Sequence, residues 1–393
     1  MNKSILILRF AVVSTAIFML FGCGQKPAAE YDWLIGNGLP QPQVLTDNPM
    51  SVAKVSLGRY LFYDKALSAN NSQSCSSCHL QSMAFAEAKT VSVGSTGQSH
   101  RRNSPGLINI AYNKTLTWAH DGLTDIERQI MLPMFGDEPI ELGISGHEQL
   151  VLSRLQKPPY PRLFSNAFSD YEGTADFNQV NQALSSFVRS LISLNSPFDA
   201  YAYEADDDAL DEFELAGMDL FFSERLECHH CHGGFNFTQS TTHQKQPLDR
   251  RPFHNTGLYY TERSGLIERV HKLGYPEVDR GLAEVTGNAV DDGRFRAPSL
   301  RNVALTAPYM HDGSVVTLAE VIDIYAAGGR NVTEGKHLGD GRLNPLKSPF
   351  VKGFTLSAQE KAHLLAFLHS LTDEAFINNA DFGDPWAEWA NSN

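Results

Sequence analysis

The chain has 393 residues, 42% of them hydrophobic and 20% charged, an ordinary globular composition with room for two domains. Its formal net charge of −13 argues against nucleic acid as a partner, because nothing here would neutralise phosphates, and leaves a basic protein surface open.

In chain order, residues 1–22 read as a bacterial export signal. Lys3 and Arg9 precede the apolar run FAVVSTAIFMLF (10–21), which is too short and too N-terminal to span a membrane. The run ends Leu20-Phe21-Gly22-Cys23, a lipobox-like signal for acylating Cys23. Phe21 is bulkier than usual there, and plain cleavage near Gly22 is the alternative. A lipid anchor on Cys23 would hold an aqueous body through a tether at 23–44, and Gly24 after the cysteine favours the outer membrane.

LGRYLFYDKAL (57–67) then leads into CSSCH (75–79), followed by SPGLINIAY (104–112) and HDG (120–122). A periodic helix is predicted over 177–194, with Phe177, Val180, Leu184, Phe187, Val188 and Leu191 on one face. SPFDAYAYEADDDALDE (196–212) follows as an acidic linker. The motifs then recur. AGMDLFFSERL (216–226) leads into CHHCH (228–232), and APSLRNVAL (297–305) precedes a second HDG (311–313). A helix over 317–328 carries Leu318, Val321, Ile322 and Tyr325 on one face. The last helix starts at the capping box SAQE (357–360) and carries Leu364, Leu365, Phe367, Leu368 and Leu371.

The two C-x-x-C-H motifs use every cysteine after Cys23, namely Cys75, Cys78, Cys228 and Cys231. This spacing is the attachment signal for c-type haem. Each thiol adds to one vinyl group, and the next residue, His79 or His232, lies under the iron. A four-cysteine zinc site would have to join knuckles about 150 residues apart and would leave the repeated His unexplained. A thioredoxin-like dithiol needs one pair and a βαβ setting, which is absent. His229 and His230, inside the second loop, have no access to the iron and are expected at the surface or against a partner. The predicted fold is mostly α: two c-type cytochrome-like domains, an N-terminal one at 45–200 and a C-terminal one at 201–375. Long loops wrap the two haems, and a tail follows at 376–393. Two similar six-coordinate haems would suit an electron carrier, whereas one open iron would suit chemistry on a small molecule such as peroxide.

With GSTGQSH (94–100), MLPMFGDEPIELG (131–143), FHNTGLY (253–259), the run from FRAPSLRN to YAAGGR (295–330) and KSPFVKGFTLSAQE (347–360), the chain resembles the bacterial di-haem cytochrome c peroxidase and MauG superfamily over about residues 45–375. Within it the chain is most like the MbnH branch, encoded beside an exported copper-binding partner, MbnP. The resemblance implies a haem-dependent oxidoreductase of the Gram-negative periplasm. Such an enzyme uses H2O2 to reach a high-valent bis-Fe(IV) state and oxidises a tryptophan of its partner protein to kynurenine by long-range electron transfer. A periplasmic di-haem peroxidase fed by a small redox protein, and a di-haem electron-transfer lipoprotein, are the alternatives.

Site residues carry over from that resemblance. The haem held by Cys75, Cys78 and His79 corresponds to the peroxide-reacting one, with Gln129 and Glu141 on its distal side. The gap from Pro133 to Glu141 is two residues longer than usual, which makes Glu138 a rival. The haem held by Cys228, Cys231 and His232 takes Tyr325 as its sixth ligand, where the peroxidases have Met; Met310 and His311 are the alternatives. A phenolate favours higher oxidation states, a thioether the ferrous state. Counted from Asn109 upstream, Trp118 is the aromatic bridge between the haems, and this is the assignment taken; the downstream register would put His120 there. Asn103, Thr306 and Pro308 match the ligands of an interdomain Ca2+. His100 is out of register with the peroxidases' displaceable His and reads as a propionate contact or a plain loop residue.

Overall fold

Ser51 accepts a hydrogen bond from the Lys54 amide and opens helix α1 (Val52–Tyr63) in the computed structural model, which describes residues 31–392 apart from 34, 37, 244–251 and 264–272. The export signal and Cys23 lie outside the described residues. Five further helices build the two cores: α2 (Ile126–Phe135), α3 (Phe177–Ser190), α4 (Glu212–Phe221), α5 (Leu318–Ala326) and α6 (Ala358–Ser370). The caps are local and legible. Asp211 with Glu214, Thr317 with Glu320 and Ser357 with Glu360 each form a capping box, satisfying amide donors that the first turn leaves open.

The architecture is the mostly helical one predicted, with thirteen α-helices among the described residues and only short strands. A two-stranded ribbon pairs Phe253 with Arg296 and His254 with Phe295, antiparallel. A four-stranded patch orders Leu273–Gly274, Thr261–Glu262, Gly339–Asp340 and Asn331–Val332. No helix among the described residues is long and apolar enough to cross a membrane.

The sequence repeat is a repeat of packing. In the N-terminal core, Leu57, Leu61 and Phe62 of α1 pack with Leu184 and Phe187 of α3. In the C-terminal core, Phe221 of α4 packs with Phe367 of α6. The aligned glycines Gly58 and Gly217 sit at the two crossings. A Cβ on either would lie 2.0 Å from a backbone carbonyl oxygen, that of Ala183 or of His363, so only glycine lets the helices approach this closely. The aligned Asn109 and Asn302 are both left-handed, with φ near 54° and 56°, and both are buried.

Three features depart from the sequence expectation. Helix α3 stops at Ser190 instead of 194, because Asn109 captures the backbone beyond it: its amide donates to the Leu191 carbonyl, and its side chain exchanges two hydrogen bonds with Ser193. The acidic stretch after α3 is no simple linker. Ser196 and Asp199 form a capping box on a helix, Pro197–Tyr203, and Asp199 makes a bidentate ion pair with Arg301 at 2.7 Å, both side chains buried. The tail also folds back onto the N-terminal core. Phe376 is buried beside Phe85, Arg59 donates to the Gly383 and Ala380 carbonyls, and Trp386 packs edge-on against Tyr60.

Candidate haem sites

In both C-x-x-C-H motifs one helical turn brings cysteine and histidine together, with the His79 amide donating to the Cys75 carbonyl and the His232 amide to the Cys228 carbonyl, each at 3.0 Å. His79 Nδ1 then lies 2.8 Å from the Phe85 carbonyl; His232 Nδ1 lies 3.3 Å from that of Phe237 and 3.1 Å from that of Pro298. With Nδ1–H donated to a carbonyl, Nε2 is left as the metal-facing nitrogen. Burial holds both rings below the usual histidine range, His232 down to about 4, which keeps them neutral, as ligation requires. Phe85 and Phe237 adopt the same left-handed backbone, at φ 58° and 48°.

The alternative chemistries of the cysteines do not fit. Cys75 packs against the N-terminal core and Cys228 against the C-terminal one, so the pairs do not meet in a zinc knuckle. Burial pushes the Cys78 thiol up to about 11 and the other three to about 12, the reverse of the low-pKa thiolate that a redox dithiol uses.

Beside the first motif stands Glu141. The GSTGQSH loop positions it: the Ser95 amide donates to the Glu141 carbonyl at 2.8 Å, and the Gln98 side chain accepts from the Ile140 amide. A Cβ on Gly94 would lie 1.8 Å from the Ile140 carbonyl, which explains that glycine. From the other side, the Leu142 amide hangs the loop on the Pro133 carbonyl of α2. The Glu141 side chain is 38% exposed by area, yet neighbouring atoms desolvate its carboxyl enough to push it up to about 7, and it lies close enough to Cys75 and Cys78 to raise both thiols. Its rival Glu138 is exposed. His100 stands near Glu141, its Nε2 3.8 Å from the Glu141 Oε1, and burial keeps this ring below its usual range. Gln129, on α2, has a buried Oε1 with no hydrogen-bond partner, and no hydrogen bond joins it to Glu141.

The second motif opens on a cleft of about 1380 Å³, open mouth included, whose walls carry Cys228, Cys231, His232, Trp118, Met310 and Tyr325. Tyr325 projects from α5, and burial, then the nearby Cys231 and Cys228, push its phenol well above its ordinary value. His311 lines the same cleft but is stacked on Phe295, centroids 3.6 Å apart, with Nε2 4.0 Å from Asp279. Between the domains, Trp118 lines this cleft and a second, smaller one, its Nε1–H donating to the Asn103 carbonyl at 2.7 Å. His120 instead accepts from the Gly122 amide in its own loop. Asn103, Thr306 and Pro308 all line the smaller cleft, and among the described residues the Thr306 and Pro308 carbonyls accept no hydrogen bond.

Arg296 was missed by sequence reasoning. It is 3% exposed, lines both clefts, has no carboxylate partner among the described residues, and leaves Nη1 unpaired. Desolvation pulls it down to about 10. A buried guanidinium without a counter-ion calls for an anionic group, which a haem propionate supplies. Together with the two neutral imidazoles and two free thiol pairs, the residues present fit two c-type haems.

Comparison with known proteins bears on this geometry. Residues 52–208 match the family model "Di-haem cytochrome c peroxidase". The chain is 34% identical to the cytochrome-c peroxidase IdrP1 of Pseudomonas sp. (strain SCT), covering 85% of this chain and 84% of that protein. It is 31% identical to the methylamine utilization protein MauG of Methylorubrum extorquens, covering 86% and 82%. A solved MauG-like protein associated with microbial copper homeostasis is 46% identical, with a TM-score of 0.85 over 91% of this chain and 99% of the other.

Proposed function

Because the chain belongs to the di-haem cytochrome c peroxidase and MauG family, whose members act as haem oxidoreductases with peroxide, we propose that it is a MauG-like enzyme that uses H2O2 to oxidise a tryptophan of a partner protein to kynurenine. The observation that carries this reading is Tyr325 in the cleft of Cys228, Cys231 and His232; the Met310 thioether lines the same cleft but packs on the separate cluster of Leu258, Tyr259, Tyr275 and Phe295, and a thioether ligand would instead mark a haem that accepts electrons from a donor.

The bound haems supply the redox chemistry; the chain supplies position and protons. Cys75, Cys78 and His79 hold the peroxide-reacting group, and Cys228, Cys231, His232 and Tyr325 hold the other. Glu141 takes a proton from the incoming peroxide oxygen and returns it to the departing one, a role suited to a carboxyl near 7. Gln129 adds an amide hydrogen bond and Arg296 holds a propionate. Trp118 carries electrons between the two sites. Asn103, Thr306 and Pro308 hold a water-rich Ca2+ between the domains. The substrate is an exported, copper-binding, MbnP-like protein that docks at the surface, and the enzyme works in the periplasm, lipid-anchored at Cys23.

Family membership supports a second reading equally: a peroxidase that draws electrons from a small redox protein. One experiment divides the two. Peroxide added to the diferric protein is expected to change its absorption at once, and mass spectrometry is expected to find the partner's tryptophan converted to kynurenine. A protein that stays silent until a donor reduces one haem sinks the MauG-like reading. The Tyr325→Met variant is expected to acquire that requirement.

A further inference from the structure

Among the described residues, one group of histidine and acidic side chains outside the haem ligands has donor atoms that converge: Glu224, His229 and His230, all within 4.8 Å of one another. Glu224 lies in the turn before the second C-x-x-C-H motif, with its two carboxylate oxygens 3.5 Å from His229 Nε2 and 3.6 Å from His230 Nε2. Glu227 stands at the edge of the group, its Oε2 lying 2.7 Å from His230 Nε2 without hydrogen-bond geometry between them. In a tetrahedral site with bonds of about 2.0 Å, neighbouring donor atoms stand about 3.3 Å apart, close to what these side chains already show.

The group is held in place from several sides. His229 and His230 are ring neighbours, centroids 4.2 Å apart, because they are adjacent on a one-turn helix (His229–His232). Phe350 stacks on His230 at 4.4 Å with planes 17° apart, which fixes that ring. Lys352 takes the other Glu227 oxygen at 2.6 Å and leaves Oε2 turned toward His230. His229 Nδ1 and Glu227 Oε2 are both buried and have no hydrogen-bond partner.

We propose that Glu224, His229 and His230 form a binding site for a divalent first-row transition cation, separate from the haem irons. A donor set of two imidazoles and one carboxylate, completed by water, follows the Irving–Williams order, so Cu2+ binds tightest and Zn2+ more weakly. Ca2+ and Mg2+, which prefer all-oxygen sites, are excluded. The proposal is independent of whether the enzyme acts on a partner protein.

The test uses the full di-haem protein, titrated with Cu2+ or Zn2+ by equilibrium dialysis and followed for Cu2+ by electron paramagnetic resonance. One tightly bound Cu2+ per chain is expected, with nitrogen hyperfine structure from two imidazoles. The His229→Gln/His230→Gln double variant is expected to lose affinity by more than the roughly 10–100-fold that removal of an outer hydrogen-bond partner costs. Glu224→Gln lies outside the attachment motif, keeps both haems, and is expected to weaken Cu2+ at least about tenfold. Unchanged affinity in Glu224→Gln, or a Cu2+ signal in the double variant identical to that of the parent, overturns the site and assigns the metal to other histidines.

Discussion

At the scale of the residue, Glu141 shows how burial rather than pairing sets a proton affinity. Desolvation raises its carboxyl from an ordinary value near 4.5 to about 7. A peroxide reaction that needs the carboxylate is therefore expected to speed up as pH rises through about 7. Glu141→Gln should flatten that profile and slow the step by about 10²–10⁴-fold, read by stopped-flow absorption. The stability consequence has the opposite sense. A raised carboxyl is neutral in both folded and unfolded chains below about 4.5 and ionised in both above about 7, so its desolvation penalty grows between those limits. Relative to Glu141→Gln, the parent protein should lose stability from pH 4.5 to pH 7 and change little beyond, as thermal unfolding across that range would show. Trp118 makes a different prediction. Trp118→Phe keeps an aromatic ring but loses the Nε1–H bond to Asn103 and the easily oxidised indole. The reaction at the first haem should survive while electronic communication with the second fails, seen as loss of the spectral change at the His232 haem.

At the scale of the element, the duplicated helix crossings carry the fold. Gly217→Ala would set a methyl 2.0 Å from the His363 carbonyl and 2.8 Å from Phe367 Cβ, contacts that no rotamer relieves. Overpacking of this kind costs about 1–3 kcal/mol, and the melting temperature should fall by several degrees. Arg301 tests the helix at 197–203 in the same way. Its guanidinium joins Asp199 and the Phe235 carbonyl in the interior, and Arg301→Met leaves a buried carboxylate without its cation. The expected loss is about 3–5 kcal/mol, measured by denaturant unfolding. The stretch 196–212 reads as a linker because Asp206, Asp207 and Asp208, just beyond this helix, make it acidic, while the buried partner of Asp199 lies far along the chain.

At the scale of the whole molecule, the chain crosses between its two halves more than once. Arg102 pairs with Asp279 at 2.7 Å, the Asn103 amide donates to the His311 carbonyl, and residues 374–386 return to the N-terminal core. Truncation after Thr372 should therefore destabilise the domain of the other terminus: unfolding followed at the His79 haem should shift, and that followed at the His232 haem should shift less.

The amino-acid sequence by itself determined the cofactor chemistry, the helical class and the duplication. C-x-x-C-H, capping boxes and apolar periodicity are written in residues near one another and depend on little else. It also singles out Cys75, Cys78, His79, Cys228, Cys231 and His232 as the attachment set proposed here. The tertiary structure decided what depends on distant contacts. It put Glu141 rather than Glu138 beside Cys75, because the 94–98 loop and the end of α2 hold that backbone. It put Trp118 rather than His120 on both clefts, and it left Arg296 buried between them without a counter-ion. Burial, proton affinity and the pairing of charges are properties of neighbours brought together by folding, and no spacing along the chain encodes them.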